Sequence, residues 1–168
     1  MQDPDPSRPE GFRRVSAALR AKCHQHQPVW LEVAARTSQE AADALGVSLG
    51  QIAKSVVFRR KSDLAAVLVI TSGDRRVDEK KLKQHTGPLG RADADYVKAS
   101  TGFSIGGVSP LGFAPADGAG SPLLFVDREL FRFETIWAAA GHPNGVFCMT
   151  PEQLAALTGA PVIDVVQA

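Results

Sequence analysis

Two β-branched runs fix the middle of this chain. AKSVVFRR (residues 53–60) and LAAVLVITS (residues 64–72) are separated by KSD, a spacer whose length and composition suit a hairpin turn, so the two runs are read as an antiparallel pair. Side chains alternate faces along an extended chain. Ile52, Lys54, Val56 and Phe58 therefore point one way, and Ala53, Ser55 and Val57 the other. Lys54 places an ammonium among three hydrophobes, and a charge on such a face is costly unless something pairs with it.

Around the hairpin the pattern changes period repeatedly. Phe12, Val15, Leu19 and Cys23 recur at helical spacing, which predicts a helix running to about Gln25. VWLEVAA after Pro28 reads as a short strand. TSQEAADALG carries Thr37 as N-cap, Glu40 three residues on and Gly46 as a stop. VDEKKLKQHTG predicts a helix ending at Gly87, and RADADYVKAST another. Strands are expected at 122–126, 133–138, 145–148 and 161–165, with PEQLAALTG bracketed as a helix by Thr150, Pro151 and Gly159. No βαβ unit repeats, which argues for an α+β fold: a single compact domain with a mixed, partly closed, barrel-like sheet flanked by helices. Residues 1–10 read as a flexible polar tail and 11–168 as the domain.

Composition narrows the partners. With 168 residues and 44% hydrophobic content the chain can bury one proper core without staples. Nineteen basic against eighteen acidic residues leave a net charge of +1, so no bulk field draws it to DNA or an anionic membrane. An RNA partner would need a local patch. Cys23 and Cys148 form no disulfide framework and read as free thiols. The start of the sequence, MQDPDPSRPEGF, is acidic and proline-rich, and no apolar run approaches the roughly 18 residues of a membrane span. A soluble cytoplasmic protein is expected.

Backbone signals concentrate in STGFSIGGVSPLGFAP, residues 100–115, where four glycines and two prolines in sixteen positions exclude an ordinary strand interior. Gly106 and Gly107 let the backbone approach a ligand with its N–H groups exposed, and Pro110 stiffens the exit. Such a loop can cradle a carbonyl or carboxylate; a bulge at a sheet corner has the same composition. A second tight connection, Gly141-His142-Pro143-Asn144-Gly145, holds His142 extended before proline. Cys23, His24 and His26 diverge on a helix and make no good metal site, so they are read, with His85, as surface polar residues. Paired carboxylates, a Ser/His/Asp order and a phosphate loop are all missing, which points to metal-free chemistry.

Taken together, Lys54 in AKSVVF, TGFSIGGVSPLGF with its G-x-x-x-P core (Gly106 to Pro110), LLFVDREL and AAGHPNGVFCMTPEQLAALTG resemble the YbaK/ProX family, free-standing relatives of the editing domain inserted in bacterial prolyl-tRNA synthetases. The resemblance spans roughly residues 12–166. It implies hydrolysis of mischarged aminoacyl-tRNA, typically tRNA(Pro) carrying a small wrong amino acid, without cofactor or metal. Lys54 matches the family's essential lysine, which would orient the terminal phosphate or adenosine of the tRNA. Gly106 and Gly107 would stabilise the oxyanion with their amides, while Val108, Ser109, Pro110, Gly141 and His142 would contact the substrate. The plainer alternatives are a Lys54 that reaches the rim or bridges to Asp127, and a His142 that lies in solvent.

Ala139-Ala140-Gly141 followed by His142-Pro143-Asn144 departs from the serine-bearing pattern of relatives that act on cysteinyl-tRNA(Pro). Alanine or 2-aminobutyrate is favoured over cysteine, with serine and threonine open. The acceptor end would meet local charge: Arg13, Arg14, Arg20 and Lys22, the hairpin's Arg59, Arg60 and Lys61, or DEKKLK (78–83). Prolyl-tRNA synthetase is a further expected partner. The rival class is a non-catalytic module that holds an aminoacyl-adenosine, a small ligand or a synthetase.

Overall fold

The protein is described from Asp5 to Ala168 in a computed structural model. In chain order the elements are α1 (Glu10–Ala21), β1 (Val29–Trp30), α2 (Ser38–Leu45), β2 (Ala53–Arg60), β3 (Ala66–Ser72), α3 (Glu79–Thr86), β4 (Leu89–Arg91), α4 (Ala94–Thr101), β5 (Leu123–Asp127), β6 (Ile136–Ala139), β7 (Gly145–Met149), α5 (Pro151–Thr158) and β8 (Val162–Ile163). Of the expected tail, residues 1–4 lie outside the described residues, and α1 opens at Glu10.

The hairpin is the centre of the larger sheet. β2 and β3 pair antiparallel, Lys54 opposite Thr71 and Ser55 opposite Ile70. β3 is buried along its whole length, as expected of a near-continuous apolar strand covered on both faces. β4 adds to β2 antiparallel, whereas β5 joins β3 in parallel and β8 follows β5 in parallel, giving the order β4-β2-β3-β5-β8. A smaller antiparallel sheet, β1-β7-β6, meets it at the single bridge between Ile52 and Trp137. The class is α+β with a mixed sheet and flanking helices. No closed barrel forms, because the two sheets join at that one bridge.

Helix ends follow their caps. Thr37 accepts the Glu40 N–H at 3.1 Å and Gly46 closes α2 in the left-handed region, while Thr150 and Gln153 form a reciprocal capping box and Gly159 ends α5. Three expectations are corrected. The first helix stops at Ala21 rather than Gln25, because Cys23 takes a left-handed turn (φ 56°) and leaves the stripe exposed to solvent. That turn carries His24 inward. It is buried, donates Nε2–H to the Cys148 carbonyl at 2.9 Å and packs edge-on against Phe147, so it is no surface residue. The strand after Pro28 shrinks to Val29–Trp30, since the chain bends away at Leu31 and leaves Val33 in solvent.

The main core gathers Phe12, Val15 and Leu19 of α1, Leu68 and Ile70 of β3, Phe103 and Leu111 of the glycine loop, and Phe147 and Met149 of β7. Its tightest backbone approach is between Gly11 and Gly141. A Cβ on either would strike the other's carbonyl, and Gly141 has φ 81°. Gly141→Ala should therefore combine overpacking with left-handed strain and lower unfolding stability by about 2 kcal/mol or more, read as a lower urea midpoint with an unchanged slope.

Candidate active site

β2 supplies one wall of a cavity of about 340 Å3, at the small end of ligand sites. Ala53, Ser55 and Val57 line it together with Lys54; α4 adds Val97, β6 adds Ala138 and Ala139, and β7 adds Gly145 and Val146. The glycine loop closes another side through Ile105, Gly106 and Val108, and the segment before α2 contributes Ala35 and Arg36. Among the described residues Lys54 and Arg36 are its charged lining residues, and no carboxylate lines it. The rest of the lining is mostly apolar, with Thr37, Ser38 and Ser55 as polar residues.

Lys54 is half-buried and, among the described residues, has no carboxylate within 4.0 Å of its ammonium. Burial holds its pKa below the ordinary lysine value, the nearby Arg76 guanidinium pushes the same way, and Asp74 opposes them. Asp74 is itself held by Arg132 at 2.9 Å. Asp127, the bridging partner considered from the sequence, is fully buried, and its two oxygens accept the Glu129 and Val165 N–H groups, each at 2.9 Å.

The glycine loop is clamped at its base. Arg14 donates to the carbonyls of Gly112 (3.1 Å) and Gly102 (2.9 Å), and the Thr101 hydroxyl accepts the Phe103 N–H at 3.0 Å. At the tip Gly106 has φ 94° and reaches the cavity. The Gly107 N–H turns back to the Ser104 carbonyl at 3.0 Å. The N–H groups of Gly106 and Val108 have no hydrogen-bond partner among the described residues.

Lys54, Gly106 and Val108 thus line one cavity, whereas Gly107, Ser109, Pro110, Gly141 and His142 are not among its lining residues. Ser109 and Pro110 are buried, the Ser109 hydroxyl accepting the Leu111 N–H at 3.3 Å. Gly107 lies so close to the second connection that a Cβ would come within 2.8 Å of the His142 backbone. His142 stacks on Trp30 with ring centroids 4.9 Å apart. Its Nδ1 accepts the Asn144 N–H at 3.1 Å, which leaves the ring proton on Nε2.

The lining residues that the sequence did not nominate include Ser55 and Arg36. Ser55 lies by alternation on the face opposite Lys54, where a hydroxyl among apolar neighbours is the available signal; its Oγ is buried with no hydrogen-bond partner among the described residues. Arg36 gave none. Among the described residues no group of three or more His, Cys, Asp or Glu is arranged to hold a metal ion, and no helix is long and apolar enough to cross a membrane.

The sequence profile of the aminoacyl-tRNA editing domain matches residues 32–157. The chain belongs to the aminoacyl-tRNA editing domain family. The uncharacterized protein YwhH of Bacillus subtilis (strain 168) is 37% identical over 136 residues, covering 80% of this chain and 83% of YwhH. A solved structure of a candidate trans-editing enzyme for prolyl tRNA synthetase superposes with a TM-score of 0.86 at 37% identity, over 96% of this chain and 100% of that one. The proline–tRNA ligase of Pelotomaculum thermopropionicum (strain DSM 13744 / JCM 10971 / SI) is 39% identical over 79 residues, which is 46% of this editing domain but 14% of the ligase. The likeness to the ligase is therefore to one segment of it.

Burial and the Arg36 charge hold the His142 pKa below its ordinary value of 6.5. A depressed histidine contributes stability that is complete above the unfolded value and lost as pH falls through the native one. An NMR titration should show a neutral Nε2–H ring at pH 7 that charges below 6.5. A midpoint at or above that value would contradict this environment.

Proposed function

We propose that this editing domain is a trans-editing hydrolase that deacylates mischarged aminoacyl-tRNA, most specifically tRNA(Pro) carrying a small non-cognate amino acid. One observation carries the reading: half-buried Lys54, with no carboxylate within 4.0 Å of its ammonium among the described residues, lines the same cavity as Gly106 and Val108, whose N–H groups have no partner among those residues. An isolated charge of that kind favours an anionic partner, and the terminal phosphate of the tRNA supplies one. Family membership and the solved trans-editing relative support the same substrate class.

In this reading the ester carbonyl sits against the Gly106 and Val108 N–H groups, which hold the oxyanion that develops as water attacks. Lys54 fixes the nucleotide end. The carbonyl–oxygen bond to the ribose breaks, the water's hydroxyl stays on the amino acid, and its proton passes to the departing ribose oxygen with help from the neighbouring hydroxyl. Gly107, Ser109, Pro110, Gly141 and His142 act from behind, by fixing the height of the loop over the cavity.

The acyl side chain would meet Ala53, Val57, Val97 and Ala138, an apolar wall that suits alanine or 2-aminobutyrate ahead of cysteine. The buried Ser55 hydroxyl keeps serine and threonine in range, because it lacks a partner that either side chain could supply.

Lys54→Ala should cut kcat/KM for alanyl-tRNA(Pro) by about 100-fold or more while leaving the urea midpoint close to that of the parent. Measured with tRNA(Pro) charged with alanine, 2-aminobutyrate, cysteine, serine or threonine, release should be fastest for the first two and unaffected by EDTA. A fully active Lys54→Ala protein, or binding without hydrolysis of any ester, would overturn the proposal.

A further inference from the structure

Lys54 lines two cavities. Besides the one above, it borders an open groove of about 730 Å3 walled by Val56 and Phe58 of β2 and by the segment from Arg76 to Lys80 that leads into α3. The lysine is the joint between them.

The groove's cations are not neutralised by the protein. Arg75 is within 3.7 Å of Asp74, Lys81 is paired with Asp164 at 3.2 Å, and Arg132 with Asp74 at 2.9 Å. Lys54, Arg76 and Lys80, by contrast, make no ion pair among the described residues, and Arg76 and Lys80 are exposed. Of the two acids on the wall, Asp78 is turned onto the Lys80 and Lys81 N–H groups as the cap of α3, which leaves Glu79 as the free carboxylate. The floor is half-buried and apolar, with an aromatic ring at Phe58. Spaced unpaired cations beside an aromatic floor are the two elements that hold single-stranded nucleic acid, through phosphates and through base contact.

Several basic residues nominated from the sequence are instead occupied. Arg14 ties down the glycine loop, Arg60 is paired with Asp63, and Arg13 donates to the Arg8 carbonyl. The first helix and the hairpin tip therefore offer fewer free cations than their composition suggests.

We propose that this groove is the track for a single-stranded RNA 3′ end, its phosphates on Arg76 and Lys80 and a base against Phe58, delivering the terminal residue past Lys54 into the cavity. The identity of the strand, though not the chemistry of the groove, rests on the deacylase reading. The groove recognises backbone phosphate and an unstacked base, so its affinity is salt-dependent and tolerant of sequence.

The test uses the whole protein and the uncharged tetranucleotide ACCA, with AMP as the comparison, so that no hydrolysis is needed. Adding ACCA should shift the NMR signals of Phe58 and Val77, and AMP should do so much less. Arg76→Ala combined with Lys80→Ala should weaken ACCA binding at least tenfold and flatten the log–log salt dependence by about 1.4, the value for two single-strand phosphate contacts. Both side chains are exposed and unpaired, so an unchanged circular dichroism spectrum is expected. ACCA shifts confined to α1 or the hairpin tip, equal shifts with AMP, or unaltered ACCA binding by the double variant would each overturn the groove. Deacylation that persists while the groove fails would leave the editing activity standing; groove binding without any deacylation would remove the activity alone.

Discussion

A lysine ammonium partly withdrawn from water, with no carboxylate within 4.0 Å among the described residues, is an unfavourable arrangement that the rest of this fold holds in place. Lys54 cannot leave its position easily. It sits in the ladder between β2 and β3, opposite Thr71, and β3 is buried from end to end. A one-residue slip would carry every side chain of β2 to the other face. The register that buries Val57 against the main core is thus the register that keeps a cation at the meeting of two cavities. Its lowered proton affinity follows from the same burial, reinforced by Arg76.

Opposite that cation the chain spends its backbone rather than its side chains. The loop between α4 and β5 is anchored by Arg14 and Thr101 at its base, and its tip is pressed on the connection between β6 and β7 through Gly107. Only a residue without a Cβ fits that contact. The result is a strip of main chain in which Ile105, Gly106 and Val108 line the cavity, while Gly107 and Ser109 between and after them are buried outside its lining. Preorganised amides of this kind need no rearrangement when charge develops, which is why they stabilise an oxyanion better than water does.

Much of this was legible in the sequence because the signals were local. Alternation placed Lys54 among hydrophobes, the cap residues fixed α2 and α5 nearly to the residue, and the glycine density marked the loop. What local pattern cannot report is which segments meet. The parallel pairing of β3 with β5 bridges a long stretch of chain, as does the approach of Gly107 to the His142 backbone. The end of the first helix was misread for a different reason: Cys23 continues the apolar spacing but adopts a left-handed turn that turns His24 into the core. The groove beside Arg76 was hidden because its cations look like those of any charged helix start until their neighbours are seen to be paired and they are not.

On the proposed reading, Lys54 and the amides of Gly106 and Val108 grip one ligand from two sides. A crystal structure with 3′-alanylamino-3′-deoxyadenosine 5′-phosphate, whose amide resists hydrolysis, tests it most directly. The acyl oxygen is expected about 3 Å from the Gly106 or Val108 nitrogen, with the Lys54 ammonium on the nucleotide. An acyl group lodged elsewhere, with that ammonium turned out to solvent, would contradict it.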